Sequence, residues 1–271
     1  MTAASMSLVP PGHYRFAQVT RMEWAKLRSV RSTAVILVIL VAGMTGLPIL
    51  VMSQYGPHWA GMSAADRASF DPTNQGFVGL ALGQLAVGVL GVLSITSDYS
   101  TGMIRATLAA VPRRGRVLAA KAAVLGALLL AAGELLAFAA FLTGQAAVSA
   151  PAPHATLGQP GVLRAVLLAG AYLCLIGLTG LGLGAAIRHT AGALGALVGV
   201  VFVLPFLVIA LPEPVRHAVT RFLPEAIAAQ SLTAVKPVAY SLSPWAGFGM
   251  LCLYATAALG IGGWLVSQRD A

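Results

Sequence analysis

Residues 34–53 read AVILVILVAGMTGLPILVMS, twenty residues without one ionisable side chain. A helix rises 1.5 Å per residue, so about 20 apolar residues cross a hydrocarbon core about 30 Å thick. Working outward, the same kind of run recurs at 77–96, 122–147, 163–187, 191–211 and 244–266. The pattern predicts an all-α, polytopic membrane protein with six transmembrane helices. It forms one transmembrane domain over 14–271, preceded by a small-residue, Pro-rich and disordered stretch at 1–13.

Composition points the same way. Of 271 residues, 58% are hydrophobic and only 9% are charged, where a soluble domain carries about 25% charged residues. The longest polar segments are too short for an independent core. The first apolar run is longer than the 7–15 residues of a secretory h-region, and Ser63-Ala64-Ala65 is a poor cleavage site. An uncleaved anchor is expected.

The net charge of +9 is a question of placement. With the N-terminus inside, twelve basic residues lie in inner segments: Arg15, Arg21, Lys26, Arg28, Arg31, Arg105, Arg113, Arg114, Arg116, Lys121, Arg188 and Arg269. Five lie outside: Arg67, Arg164, Arg216, Arg221 and Lys236. The positive-inside rule therefore predicts N-in and C-in. The basic charge then serves orientation and anionic membrane lipid. No aromatic-rich basic face suggests nucleic acid.

Residues 14–32 have a helical pattern. At 100° per residue Phe16, Val19, Leu27 and Val30 share one face, with Trp24 on its flank and Arg21 and Arg28 opposite. This predicts an interfacial elbow helix, its apolar side in the acyl boundary and Trp24 at headgroup level. Glu23 falls on the apolar side, where Lys26 at i+3 is placed to neutralise it. Residues 54–74 read as an irregular outer loop with a short helix. In the outer segment 212–243, Pro214 and Pro224 each open a short helix. The pairs Gly79/Gly83, Gly180/Gly184 and Gly195/Gly199 have the spacing of close helix contacts in lipid.

Catalytic signatures do not occur. The chain has no GxxxxGK[ST], HExxH, CxxC or GxSxG pattern. Cys174 and Cys252 fall inside spans and read as packing residues, and no metal spacing is present. The chain is expected to be no enzyme and to hold no cofactor. Glu134 is the one ionisable residue deep in a span. A carboxylate there costs about 2.5–3.5 kcal/mol on insertion scales, so it is expected to line a translocation path or to bond a neighbouring span near Gln84.

The inner loop 97–121 carries the most specific pattern. It opens with Ser97-Asp98-Tyr99-Ser100-Thr101-Gly102-Met103-Ile104-Arg105. Ser100 or Thr101 is placed to cap a helix that Pro112 closes. Met103, Ile104, Thr107 and Leu108 give that helix an apolar stripe suited to a partner's groove.

The run from Asp98 to Arg105, followed by Val111-Pro112-Arg113-Arg114, resembles the first cytoplasmic loop of type-two ABC transporter permeases. Many members carry Glu-Tyr-Ser-x-Gly-x-Ile-Arg there, and this chain has Asp98 in the place of the Glu. The segment Glu23-Trp24-Ala25-Lys26-Leu27-Arg28 is similar to the family's elbow helix. Arg188-His189-Thr190-Ala191-Gly192 and Arg269-Asp270-Ala271 resemble actinobacterial members.

The resemblance implies a permease subunit that pairs with a second copy or a paralogue and docks on separate ABC ATPase subunits. Those subunits would bind the ATP and Mg. It implies a coupling helix built from Asp98, Tyr99, Gly102, Met103, Ile104, Arg105 and Leu108, and export of a substrate across the plasma membrane. The alternative from another class is a non-transporting membrane scaffold or sensor subunit.

Overall fold

The computed structural model of the chain describes residues 15–110, 114–234 and 241–268. The readings made on residues 1–14, on Val111, Pro112, Arg113, Lys236, Arg269, Asp270 and Ala271, and on the side chains of Leu108 and Arg114 lie outside the described residues.

Among the described residues the chain is helical, with no strand. An elbow helix α1 (Phe16–Ser29) breaks at Val30 and leads into the first span, α2 (Arg31–His58). Short outer helices α3 (Ala64–Ser69) and α4 (Pro72–Gln75) follow, then the second span α5 (Leu80–Ser100). The short inner helix α6 (Met103–Ala110) precedes the long third span α7 (Arg114–Ala147). Span four is α8 (Val162–Ile187). Span five is built from α9 (Thr190–Val198), a π-helical turn (Gly199–Val203) and α10 (Leu204–Ile209). Two outer helices, α11 (Glu213–Thr220) and α12 (Pro224–Leu232), lead to span six, α13 (Pro244–Gln268).

Six helical stretches among the described residues are long and apolar enough to cross a membrane. The chain is an all-α polytopic membrane protein. Four of the six structural spans start earlier than their apolar runs, whereas α5 starts later, at Leu80 rather than 77, and α13 starts with its run at Pro244. Helix α7 begins at Arg114 rather than near residue 122, because a helix does not stop where its side chains turn polar. At 34 residues it is about 50 Å long, so one end stands clear of the hydrocarbon.

Burial sorts the spans. Helices α8 and α5 are the centre of the bundle, with 67% and 61% of their most apolar windows buried. The other four are buried over a third or less, as expected of helices that give a face to lipid. The central pair meets backbone to backbone. A Cβ on Gly91 would lie 2.0 Å from the Gly177 carbonyl oxygen, closer than any side chain tolerates. Without a hydrophobic force between helices in lipid, such close packing is what holds them. Gly79 meets the Gly43 carbonyl on α2 in the same way. A Cβ added at Gly195 or Gly199 would have nothing within 4 Å, so that pair does not supply the contact its spacing suggests.

The π-helical turn has a local cause. Pro205 cannot donate an amide hydrogen, and its ring pushes against the preceding turn. The chain widens there, and the Leu204 amide reaches back to the Gly199 carbonyl, five residues away.

The outer end is tied by side chains. Asp71 caps α4, accepting from the amides of Thr73 (2.9 Å) and Asn74 (3.2 Å). Its other oxygen accepts from the amide of Ala234 at 2.8 Å, beyond the end of α12. Arg164 donates to the neighbouring Thr233 carbonyl at 2.8 Å. The two expected Pro-initiated outer helices are both present, at α11 and α12.

Candidate functional site

The site lies at the end of the bundle that carries α1, α6 and the start of α7. It begins with spacing. Glu23 and Lys26, three residues apart on α1, share a face, and their side chains are 3.2 Å apart. Asp98 lies in the last turn of α5, and Lys121 lies two turns into α7. Helix α1 packs on α7, which brings all four together.

Lys121 is the hub. Its ammonium has three donors, and three acceptors surround it: Glu23 Oε2 at 2.6 Å, Asp98 Oδ2 at 2.7 Å and the Ser94 carbonyl at 2.9 Å. Lys26 closes the network less tightly, at 3.2 Å from Glu23, 3.4 Å from Asp98 and 3.5 Å from Thr107 Oγ1. Thr107 belongs to α6. Two acids and two lysines of zero net charge therefore join three helices (α1, α5 and α7), and the Thr107 hydroxyl brings α6 to the edge of the cluster.

Glu23, Asp98 and Lys121 are each buried, at 2%, 4% and 4% exposure. Buried charges are expensive to remove from water, and only paired, hydrogen-bonded geometry offsets that cost.

This corrects several expectations. Asp98 does not face outward for a partner; it is buried against Lys121 and Lys26. Ile104, at 5% exposure, and Thr107, at 7%, turn inward. Among the described side chains of α6, Met103, Arg105 and Ala106 are exposed, as is Gly102 just before the helix. Ser100 and Thr101 do not cap α6. Their hydroxyls donate back to the Ser97 carbonyl at 3.1 and 2.8 Å, because a hydroxyl near a helix end finds the preceding turn first. The chain turns at Gly102, with φ +70°, a conformation suited to glycine. The apolar side of α1 is not simply immersed in lipid either. Val19 packs with Val117 and Ala120 of α7, while Phe16, Trp24 and Val30 stay exposed. Arg28 is exposed beside them.

Tyr99 is half-buried in the last turn of α5, with the Arg188 guanidinium 5.3 Å above its ring. Arg188 closes α8 in the left-handed conformation (φ 59°) and donates to the Leu265 carbonyl at 3.3 Å. The turns after spans two and four and the end of span six therefore meet at one point.

Deeper in the bundle, Glu134 and Gln84 are not brought together. Gln84 accepts a hydrogen bond from the Tyr172 hydroxyl. Glu134 lies against Gly170, where a Cβ would come within 2.6 Å of its carboxyl carbon. Gly170 and Tyr172 are two residues apart and so face nearly opposite sides of α8. Glu134 Oε2 is buried and has no hydrogen-bond partner among the described residues.

Sequence reasoning missed Lys121 as the hub and Tyr172 as the partner of Gln84. A signal for the first exists. Lys121 sits at the head of an apolar helix, and the inner segments hold only three acids: Glu23, Asp98 and Asp270. An ammonium buried there must draw on them. No protein-family model matches the chain, and no curated protein matches it.

Proposed function

We propose that the chain is the membrane-spanning permease subunit of an ABC transporter of the plasma membrane. It exports a substrate, paired with a second permease chain, while a separate ATPase subunit binds ATP and Mg and docks on α6. A ligand-driven cycle in a partner does work on this chain only through an element whose two arrangements it favours unequally.

The observation that carries the reading is the four-residue charge network. It ties the elbow helix to spans two and three, and α6 meets it through Thr107 Oγ1, 3.5 Å from Lys26, with Ile104 buried beside it, so a push on α6 bears on elements held together by the network. The exposed residues at the α5–α6 turn, Gly102, Met103 and Arg105, are what a docking partner would touch. Asp98 and Tyr99 act behind that surface, as positioning residues. Glu134 and Gln84 are assigned no transport role by this reading.

The test is purification from native membranes in mild detergent, followed by identification of the bound proteins. A co-purifying chain with a Walker A motif is expected. Arg105→Glu is expected to leave insertion and thermal stability unchanged within about 0.5 kcal/mol, as exposed substitutions do, while uncoupling ATP hydrolysis from transport. Gly102→Pro, which forbids the turn's positive φ, is expected to uncouple as well while the spans still insert. A chain that binds no ATPase, with unaltered physiology in both variants, would instead favour a membrane scaffold or sensor.

A further inference from the structure

Beside the charge network the structure contains a cavity of about 320 Å³. Its floor is apolar: Leu90 and Leu125 are buried, and Leu27 and Leu93 line the wall. Leu90 lies ten residues inside the end of α5, which corresponds to about 15 Å of depth. The cavity thus runs from the level of the charges well into one leaflet. Its mouth is formed by Ser29, Val30 and Ser32 at the joint between α1 and α2, and by Thr101 and Met103 across from them. A cavity apolar at depth and charged at its rim has the polarity of half a lipid molecule.

The two lysines at the rim are not equivalent. Lys121 spends all three donors on contacts of 2.6–2.9 Å. Lys26 makes only contacts of 3.2–3.5 Å, and its side chain is 22% exposed. It is the cation better placed to turn toward a further acceptor. Arg28 and Arg31 adjoin the mouth residues Ser29, Val30 and Ser32 in sequence, and the two acids that share the lining, Glu23 and Asp98, are both held by Lys121. Phosphate oxygens suit such a site.

We propose that this cavity is a binding site for one anionic glycerophospholipid of the leaflet that faces the elbow helix. Its phosphodiester meets Lys26, and one acyl chain runs down against Leu93, Leu90 and Leu125. The lipid would wedge the elbow joint open at Val30, between α1 and α2. The proposal goes beyond the permease reading and does not depend on it, since it needs a membrane leaflet but no ATPase.

The test uses the purified full chain, delipidated in mild detergent and titrated with phosphatidylglycerol under native mass spectrometry. One retained phosphatidylglycerol per chain is expected. Lys26→Gln and Leu93→Trp should each weaken retention about tenfold, the loss of one charge-assisted hydrogen bond or of the chain's space. Leu93→Trp leaves every charge in place, so a fold lost with Lys26 does not blur the outcome. Diacylglycerol, which lacks the phosphate, should not be retained. Retention unchanged in both variants, or equal retention of diacylglycerol, would overturn the proposal. Displacement of the lipid by millimolar inorganic phosphate would overturn it too, by showing a free-anion site instead.

Discussion

Replacing Lys121 by Met is the sharpest test of how this molecule is held together. The substitution keeps most of the length of the side chain and removes its charge. Three contacts go with it: 2.6 Å to Glu23, 2.7 Å to Asp98 and 2.9 Å to the Ser94 carbonyl. Two buried carboxylates remain with one ammonium, Lys26, which stands 3.2 Å and 3.4 Å from them. Removing one partner of a buried pair costs about 3–5 kcal/mol, because the other charge is left uncompensated. Lys26 is partly exposed, so some water reaches the cluster, and the low end, about 3 kcal/mol, is expected.

The assay is reversible unfolding of the purified chain in mixed detergent, followed by tryptophan fluorescence. A control is built into the molecule. Arg216 and Glu213 form an ion pair at 4.0 Å with side chains 37% and 73% exposed, and Arg216→Met should cost under about 1 kcal/mol. The double variant Glu23→Gln with Lys121→Met removes one charge of each sign. It should cost about 1–3 kcal/mol less than the two single variants summed, as coupled residues do. A Lys121→Met protein within about 0.5 kcal/mol of the parent, or strictly additive costs, would refute the argument that the network is a single electrostatic unit.

Three further outcomes follow from the packing. Gly91→Ala should disrupt the α5–α8 contact and lower the yield of folded protein in detergent, whereas Gly195→Ala, with open space around it, should behave as the parent in the same size-exclusion assay. Asp71→Ala removes, among the described contacts, the hydrogen bonds accepted from Thr73 and Asn74, which cap α4, and from Ala234. At about 1 kcal/mol for a cap and as much for the tie to Ala234, it should lose about 2 kcal/mol and expose the outer loops to added protease. Tyr172→Phe leaves the Gln84 oxygen without its donor between α5 and α8. It should cost about 1 kcal/mol in detergent unfolding, and Gln84→Leu in the same background should recover part of that.

The outer fold is legible in the sequence because its causes are local. Uninterrupted apolar length marks a span whatever it packs on, and each proline that opens α11 and α12 acts within its own turn. The pairing of Glu23 with Lys26 is legible for the same reason, being set by a three-residue spacing. The span boundaries are less so, since α7 continues through Gly115 and Arg116 without a breaker strong enough to stop it. The inner loop misleads in a particular way. An apolar stripe on a short helix is the same in sequence whether it faces a partner or the chain's own bundle. Here Ile104 and Thr107 turn inward.

The sequence by itself determined that the chain is helical, how often it crosses a bilayer, and which loops carry the basic charge. Each depends on the run length or composition of neighbouring residues. Only the tertiary structure decided which spans are central, that Gly91 rather than Gly195 marks a helix contact, that Gln84 answers Tyr172 and not Glu134, and that Lys121 gathers Glu23 and Asp98 into one buried cluster. Those facts rest on residues as far as 98 positions apart, and no local spacing encodes which distant charge a buried ammonium will meet.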